Sequence, residues 1–314
     1  MAGDHNALAY GVDLGGTDCK VGIVDGAGRV RVECEFPTPP DPGDAAAAVA
    51  RACRDLAGAV DVAVDRLGVG APGPLRLDEG VIVHAPNLRW REVPLRDLVA
   101  RAVGCPVVLD NDANAAAYGE FWVGAGREAR VLLLVTLGTG VGGGLVAHGR
   151  VYHGAHGLAA EIGHQVVMPG GRPCSCGKDG CVEAYFSGHA LTEQAGGATD
   201  HRAIFARYAA GDPAIVLWMD VALDALARGV GHAAVLFDPD HIVFTGGLTR
   251  SWAIYGERLL TGIRAGLWQA GPAPDAFGLS TLGGRAGVIG AAGLALHGAG
   301  GLAGAPGGPA GAAG

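Results

Sequence analysis

Short apolar runs broken by turn residues open this chain, over 8–13, 20–25 and 29–35, and they predict three strands of a meander. Gly15-Gly16 and Gly26-Ala-Gly28 are the turn signals between them. An alanine-rich stretch, 44–60, then takes helical spacing, with Asp44 placed to cap it. The pattern continues as a strand over 66–70 ending at Ala71-Pro-Gly-Pro74, a helix over 94–103, a strand over 106–111 and a helix from 112 to about 124. Strands first in a meander and then alternating with helices predict a mixed α/β sheet.

The same logic starts again at residue 130. Strands over 130–137 and 142–147 flank a second glycine turn, and an irregular segment follows. Helical patterns cover 188–196, 201–210 and 212–237, then a strand over 241–245, the tight turn Gly246-Gly247, and a helix over 251–267. A strand over 279–282 and an apolar helix over 285–297 complete the pattern. Two halves, each beginning with a hairpin around glycines, predict two domains with a cleft between them: an N-terminal α/β domain over 1–111, with 285–297 packed back on it, and a C-terminal α/β domain over 112–284. The tail 298–314, almost all glycine, alanine and proline, buries too little to offset its ordering entropy and reads as disordered.

Composition narrows the function classes. Of 314 residues 49% are apolar and 17% charged, enough for generous cores, and the net charge of −8 argues against a general nucleic-acid binder. Backbone N–H groups and magnesium can still neutralise nucleotide phosphates locally. The chain opens without a basic region and apolar run, and its longest charge-free apolar stretch, 131–147, is short and carries five glycines. The expectation is a cytoplasmic protein with no membrane segment.

The irregular segment carries the densest chemistry. Glu161-Ile-Gly-His164 is followed by Cys174-Ser-Cys176-Gly-Lys-Asp-Gly-Cys181-Val-Glu183. One imidazole and three thiolates make a full tetrahedral set for zinc. Cys19, Cys34, Cys53 and Cys105 lie in apolar surroundings and read as small buried hydrophobes, but three cysteines among closely spaced glycines do not. An odd total of seven cysteines and no leader also weigh against disulfides.

The other candidates are ambiguous alone. Asp13-Leu-Gly-Gly-Thr17 follows an apolar strand; it is either a hairpin turn or an anion cradle beside an aspartate able to hold magnesium. Gly138-Thr-Gly140 supplies donors of the same kind, and Gly246-Gly247 allows close approach of a base or ribose. Only two lysines occur, Lys20 and Lys178, neither in a Walker pattern. Asn111-Asp112-Ala-Asn114 sits where a strand meets a helix, so Asp112 is either part of a helix cap or a general base oriented by Asn111.

Together, these motifs and Leu137-Gly-Thr-Gly-Val-Gly-Gly-Gly144 occur in the order of the ROK family (repressors, uncharacterised frames and sugar kinases), and from about 10 to 297 the chain most closely resembles its bacterial glucokinases. The resemblance implies a two-domain, actin-like (ribonuclease H-like) ATPase fold with an interdomain cleft. It implies nucleotide contacts at Asp13, Gly15, Gly16, Thr17, Gly138, Thr139, Gly140, Gly246 and Gly247. It places Gly73, Asn87, Asn111, Asp112, Glu161, His164 and Glu183 around the sugar, with Asp112 as base. Structural zinc would be held by His164, Cys174, Cys176 and Cys181, ATP and Mg2+ would serve the transfer, and the protein would be a homodimer or homotetramer. The implied reaction is phosphorylation of a hexose, glucose first, with an amino sugar or sugar-like cyclitol as the alternative acceptor. Family repressors carry a DNA-reading domain ahead of the first glycine turn; only twelve residues precede Asp13 here, which favours the kinases. Where the family commonly has Gly-Gly-Thr-Lys this chain has Asp18, with Lys20 two residues on.

Overall fold

The computed structural model describes residues 7–60, 63–197, 200–268, 277–298 and 301. Apart from Gly298 and Gly301, the tail expected over 298–314 lies outside the described residues. The chain folds into two compact units. The first comprises 1–132, 144–159 and 280–314, the second 133–143 and 160–279.

In the first unit the opening runs become β1 (Leu8–Leu14), β2 (Asp18–Asp25) and β3 (Val30–Pro37), an antiparallel meander. β4 (Leu67–Ala71) and β8 (Val107–Asn111) then add to the other side of β1 in parallel, giving the order β3-β2-β1-β4-β8. Between β4 and β8 the chain makes a small antiparallel sheet that the hydrophobic pattern does not predict, β5 (Leu75–Arg76), β6 (Val81–Ala85) and β7 (Trp90–Val93). Its strands are too short to show a period.

Helix α1 (Pro42–Ala57) starts before the expected residue 44, because Asp41 rather than Asp44 caps it. Asp41 Oδ1 accepts from the Gly43 and Asp44 N–H groups at 2.8 and 3.0 Å, and Pro42 suits a first-turn position that lacks an intrahelical partner. α2 (Leu95–Val103) and α3 (Asp112–Val123) match the helical spacing.

The second half repeats the layout. β9 (Val131–Leu137), β10 (Val141–Ala147), β11 (Arg150–Val151), β12 (His241–Thr245) and β13 (Phe277–Leu279) take the order β11-β10-β9-β12-β13, the strand sequence of the first sheet. Of these, residues 133–143 and 241–279 belong to the second unit and 144–151 to the first; helices α4 (Gly188–Gln194), α5 (His201–Ala209), α6 (Pro213–Phe237) and α7 (Trp252–Gly266) belong to the second unit. The last strand is Phe277–Leu279 rather than 279–282. Residues 280–282 are taken instead by the fully buried Glu120, whose carboxylate accepts from the Ser280 hydroxyl and the N–H groups of Thr281 and Leu282. A buried acid holds such donors more firmly than a strand edge does.

α8 (Ala286–His297) then packs on β1, β4 and α3 in the first unit. No described helix is long and apolar enough to cross a membrane.

Candidate active site

In the first unit the site residues sit at the carboxyl ends of parallel strands, where an α/β sheet leaves a crevice. β1 ends at Asp13 and Leu14, and the turn 15–17 carries the chain into β2. Gly15 N–H bonds Asp18 O at 3.0 Å, and the Thr38 hydroxyl and N–H cap the carbonyls of Gly15 and Thr17. The Gly16 and Thr17 N–H groups, by contrast, take no acceptor among the described residues. Two adjacent free N–H groups form an anion-binding concavity.

Asp13 is half-buried, and burial holds its carboxyl above the ordinary range, with Lys20 opposing and Glu35 reinforcing that shift. Lys20 is the cross-strand partner of Asp13. Asp18 is exposed.

Asn87, in a short 3₁₀ turn (Pro86–Leu88), lies directly over the first glycine turn: a Cβ on Gly16 would stand 2.9 Å from Asn87 Cβ. Gly73 follows β4 with φ of +90°, a conformation that favours glycine, and its carbonyl accepts a 3.5 Å contact from Asn111 Nδ2. Asn111 caps α3, its Oδ1 accepting from Ala113 and Asn114 N–H at 2.9 and 3.3 Å. Asp112 is the first residue of α3, and its Oδ1 also accepts from Ala113 N–H, at 2.8 Å. The cap and the candidate base are thus neighbours in one junction, with Asn111 as the cap.

Beneath that junction is a pair the sequence patterns do not show. Asp110, 3% exposed, accepts from Asn111 N–H at 2.7 Å and from Asn114 Nδ2 at 3.0 Å. Its second oxygen lies 2.7 Å from Nε2 of His153. The hydrogen bond to Asp110 holds the His153 imidazole above its ordinary pKa, against partial burial. These residues are 43 positions apart, so no local spacing could reveal them.

In the second unit the turn 138–140 between β9 and β10 is held from several sides. The Gly138 and Thr139 carbonyls accept from Gly188 and His189 N–H at 2.8 and 3.2 Å, at the start of α4. Gly138 N–H bonds Gly140 O, and Val141 N–H bonds Glu183 Oε2 at 2.9 Å. With the carbonyls so occupied, the N–H groups of Thr139 and Gly140 take no acceptor among the described residues. This repeats the arrangement in the first unit.

A cavity of about 550 Å³ brings Gly138 and Thr139 together with Gly247, and is also lined by His189, His201, Phe205 and Arg250. Gly246 beside it has φ of +102°, and any Cβ there would meet Leu137 O at 2.3 Å. The lining residues of α4 and α5 were invisible to motif spacing. A smaller cavity of about 420 Å³ sits at the starts of β1 and β8, lined by Tyr10, Cys53 and Cys105, at the other end of the strands from Asp13 and Asn111.

His164, Cys174, Cys176 and Cys181 converge, their ligand atoms all within 4.8 Å of one another. His164 Nδ1 and Cys174 Sγ are 3.6 Å apart, and the Cys176 and Cys181 sulfurs 3.7 Å. A tetrahedron with Zn–S of about 2.3 Å and Zn–N of about 2.0–2.1 Å has edges of about 3.6–3.8 Å, so the donor set fits zinc. All seven cysteines are free thiols. Nδ1 faces the cluster and leaves Nε2 of His164 on the other side of the ring.

Glu161 is open to solvent at one edge. Even so, partial burial raises its carboxyl pKa, with His164 opposing and the Glu183 charge reinforcing that shift. Glu183 has Oε2 on Val141 N–H and Oε1 3.3 Å from the Ser175 hydroxyl. Of the expected sugar contacts, Gly73, Asn87, Asn111 and Asp112 belong to the first unit and Glu161, His164 and Glu183 to the second.

The ROK family sequence model matches residues 9–297. A glucokinase of Halalkalibacterium halodurans is 37% identical over 90% of this chain and 93% of its own length. Among solved structures, a ROK hexokinase from Thermus thermophilus superposes with a TM-score of 0.82 at 36% identity, covering 91% of this chain and 96% of that one. A ROK family glucokinase from Streptomyces griseus, in complex with glucose and AMPPNP, gives 0.73 at 35% identity, covering 93% and 100%.

Proposed function

The chain belongs to the ROK family, with its actin-like fold, and is an ATP-dependent sugar kinase within it; from that premise we propose that it transfers the γ-phosphoryl group of ATP to the primary hydroxyl of glucose. The observation that carries this reading is the cavity of about 550 Å³ opening at Gly138 and Thr139. It has room for a nucleoside, and unpartnered turn N–H groups stand at the end where phosphates would lie.

Asp112 takes the proton of the acceptor hydroxyl, whose oxygen attacks the γ-phosphorus as the bond to the bridging oxygen breaks and ADP leaves. Asn111 holds Asp112 in place through the shared helix start. Phosphoryl transfer of this kind is mostly positioning and charge neutralisation. The paired N–H groups at Gly16 and Thr17, and at Thr139 and Gly140, serve the latter. Asp13 is the residue that would hold Mg2+, which neutralises phosphate charge when bound; a half-buried acid with a raised pKa gains from a nearby cation.

Asn87, Gly73, Glu161, His164 and Glu183 supply polar groups to the sugar. His164, Cys174, Cys176 and Cys181 would hold a structural zinc that keeps His164 and Glu183 oriented, four protein ligands leaving no open position for catalysis.

An acceptor panel tests the reading. With Mg2+ and ATP, ADP release should show the highest kcat/KM on glucose, below it N-acetylated amino sugars and cyclitols. A higher kcat/KM on either of those classes would reassign the acceptor, and no ADP on any of them would end the kinase reading.

A further inference from the structure

Glu183 stands between two parts of the second unit that have separate chemistry. Its Oε2 accepts from Val141 N–H at 2.9 Å, at the exit of the glycine turn. Its Oε1 lies 3.3 Å from the hydroxyl of Ser175, the residue between Cys174 and Cys176. Gly140 bears on the same carboxylate: a Cβ there would stand 2.4 Å from Glu183 Oε2. Gly140 is not among the residues of positive φ, so space beside the carboxylate, and not backbone conformation, calls for glycine at that position.

We propose that Glu183 is a positioning residue for the phosphate-facing turn 138–141, and that Ser175 ties it to the Cys/His cluster, so that the state of the cluster governs nucleotide affinity. The turn is otherwise fixed through its carbonyls, by the Gly188 and His189 N–H groups. Those bonds anchor Gly138 and Thr139, Gly138 N–H closes on Gly140 O, and Gly142 N–H bonds the Thr136 hydroxyl at 3.0 Å, so that Glu183 takes the Val141 N–H between them. A carboxylate accepting a backbone N–H is a strong restraint, and it sets the direction in which the neighbouring Thr139 and Gly140 N–H groups point. On the cluster side, a metal that fixes Cys174 and Cys176 fixes Ser175 between them. This rests on reading the turn as a phosphate contact. It goes beyond a sugar-only role for Glu183, which would leave nucleotide affinity in the absence of sugar untouched.

The test is the Kd of Mg2+–AMPPNP for the full chain without sugar, by calorimetry. Glu183→Ala should weaken binding by about tenfold, the loss of one charge-assisted hydrogen bond. Glu183→Gln keeps an acceptor for Val141 N–H and should recover most of that loss. Gly140→Ala should weaken binding in the parent chain but add nothing in the Glu183→Ala background, where its obstacle is gone. Stripping the cluster by dialysis against a chelator, with Mg2+ restored, should likewise weaken the parent and leave Glu183→Ala unchanged.

A Kd for Glu183→Ala within about twofold of the parent, or additive effects in either pairing, would overturn the proposal. Should Glu183→Ala not fold, Ser175→Ala and Gly140→Ala decide: each should weaken nucleotide binding, and an unchanged Kd in both overturns it. A parent chain that bound no nucleotide would remove the kinase reading itself, whereas binding that ignores these substitutions removes only the role of Glu183.

Discussion

Asn111 and Asp112 share one backbone junction and divide its work. Asn111 spends its carbonyl oxygen on the start of α3, and Asp112 follows it at the first position of the helix. Replacing Asp112 with asparagine keeps the size and the junction while removing the basic oxygen. Asp112→Asn should bind sugar nearly as well as the parent and lose about 10²–10⁴-fold in kcat; a near-normal kcat would remove Asp112 as base.

The Asp110–His153 contact under that junction makes a second prediction. The folded pKa of His153 is raised above its ordinary 6.5, so its pairing stabilises the protein at pH below the unfolded value. That contribution is lost as pH rises through the folded value. In thermal melts the gap between the parent and His153→Gln should be widest near about pH 5.5 and close toward about pH 9; a gap that grew with pH would refute the pairing. At this scale the candidate residues of the site could be named from motif spacing, because each motif is local. Asp110 with His153 could not, because a contact over 43 positions leaves no periodic trace.

Glycine at the element scale acts less as a turn former than as a spacer between backbones. α8 lies against β1 and β4 where they carry Gly11 and Gly68: a Cβ on either would stand under 2 Å from Val288 O or Ala291 O. The same helix meets α3 through Gly290, whose Cβ would fall 1.6 Å from Ala115 O. Overpacking a well-filled core costs about 1–3 kcal/mol, and backbone cannot yield as a side chain can. Gly290→Ala should therefore lower stability by at least about 2 kcal/mol in urea unfolding at unchanged m-value, and an effect under about 0.5 kcal/mol would show that α8 can move away.

Element type was legible where apolar runs were long. The small sheet β5–β7 was not, since two- to five-residue strands carry no period. The true end of β13 was hidden because Glu120, far away in sequence, draws residues 280–282 to itself.

At the scale of the whole molecule the two sheets share one strand order, and each carries a glycine turn after its first strand and another after its fourth. The sequence showed this only as a faint likeness between 13–17 and 137–140, since topology is kept by backbone pairing while side chains diverge. The second half differs by the Cys/His segment, a stretch nearly without regular elements on which four donor atoms converge. Cys176 is exposed, so Cys176→Ser removes a ligand with little cost in packing. The variant should retain less than one zinc per chain by elemental analysis and melt several degrees lower; full zinc content and an unchanged melt would count against the ligand set.

The return of α8 to the first unit also bears on how the protein is made. β1, β2 and β4 leave the ribosome early, yet the helix that covers them is made of residues 286–297. Until then Gly11 and Gly68 face no partner backbone, and the apolar face around Ala9 and Val24 lacks Val288, Ile289 and Ala292. The sheet that is synthesised first is the last to be closed, so a chain halted a few residues short of its final helix would expose its oldest part and not its newest.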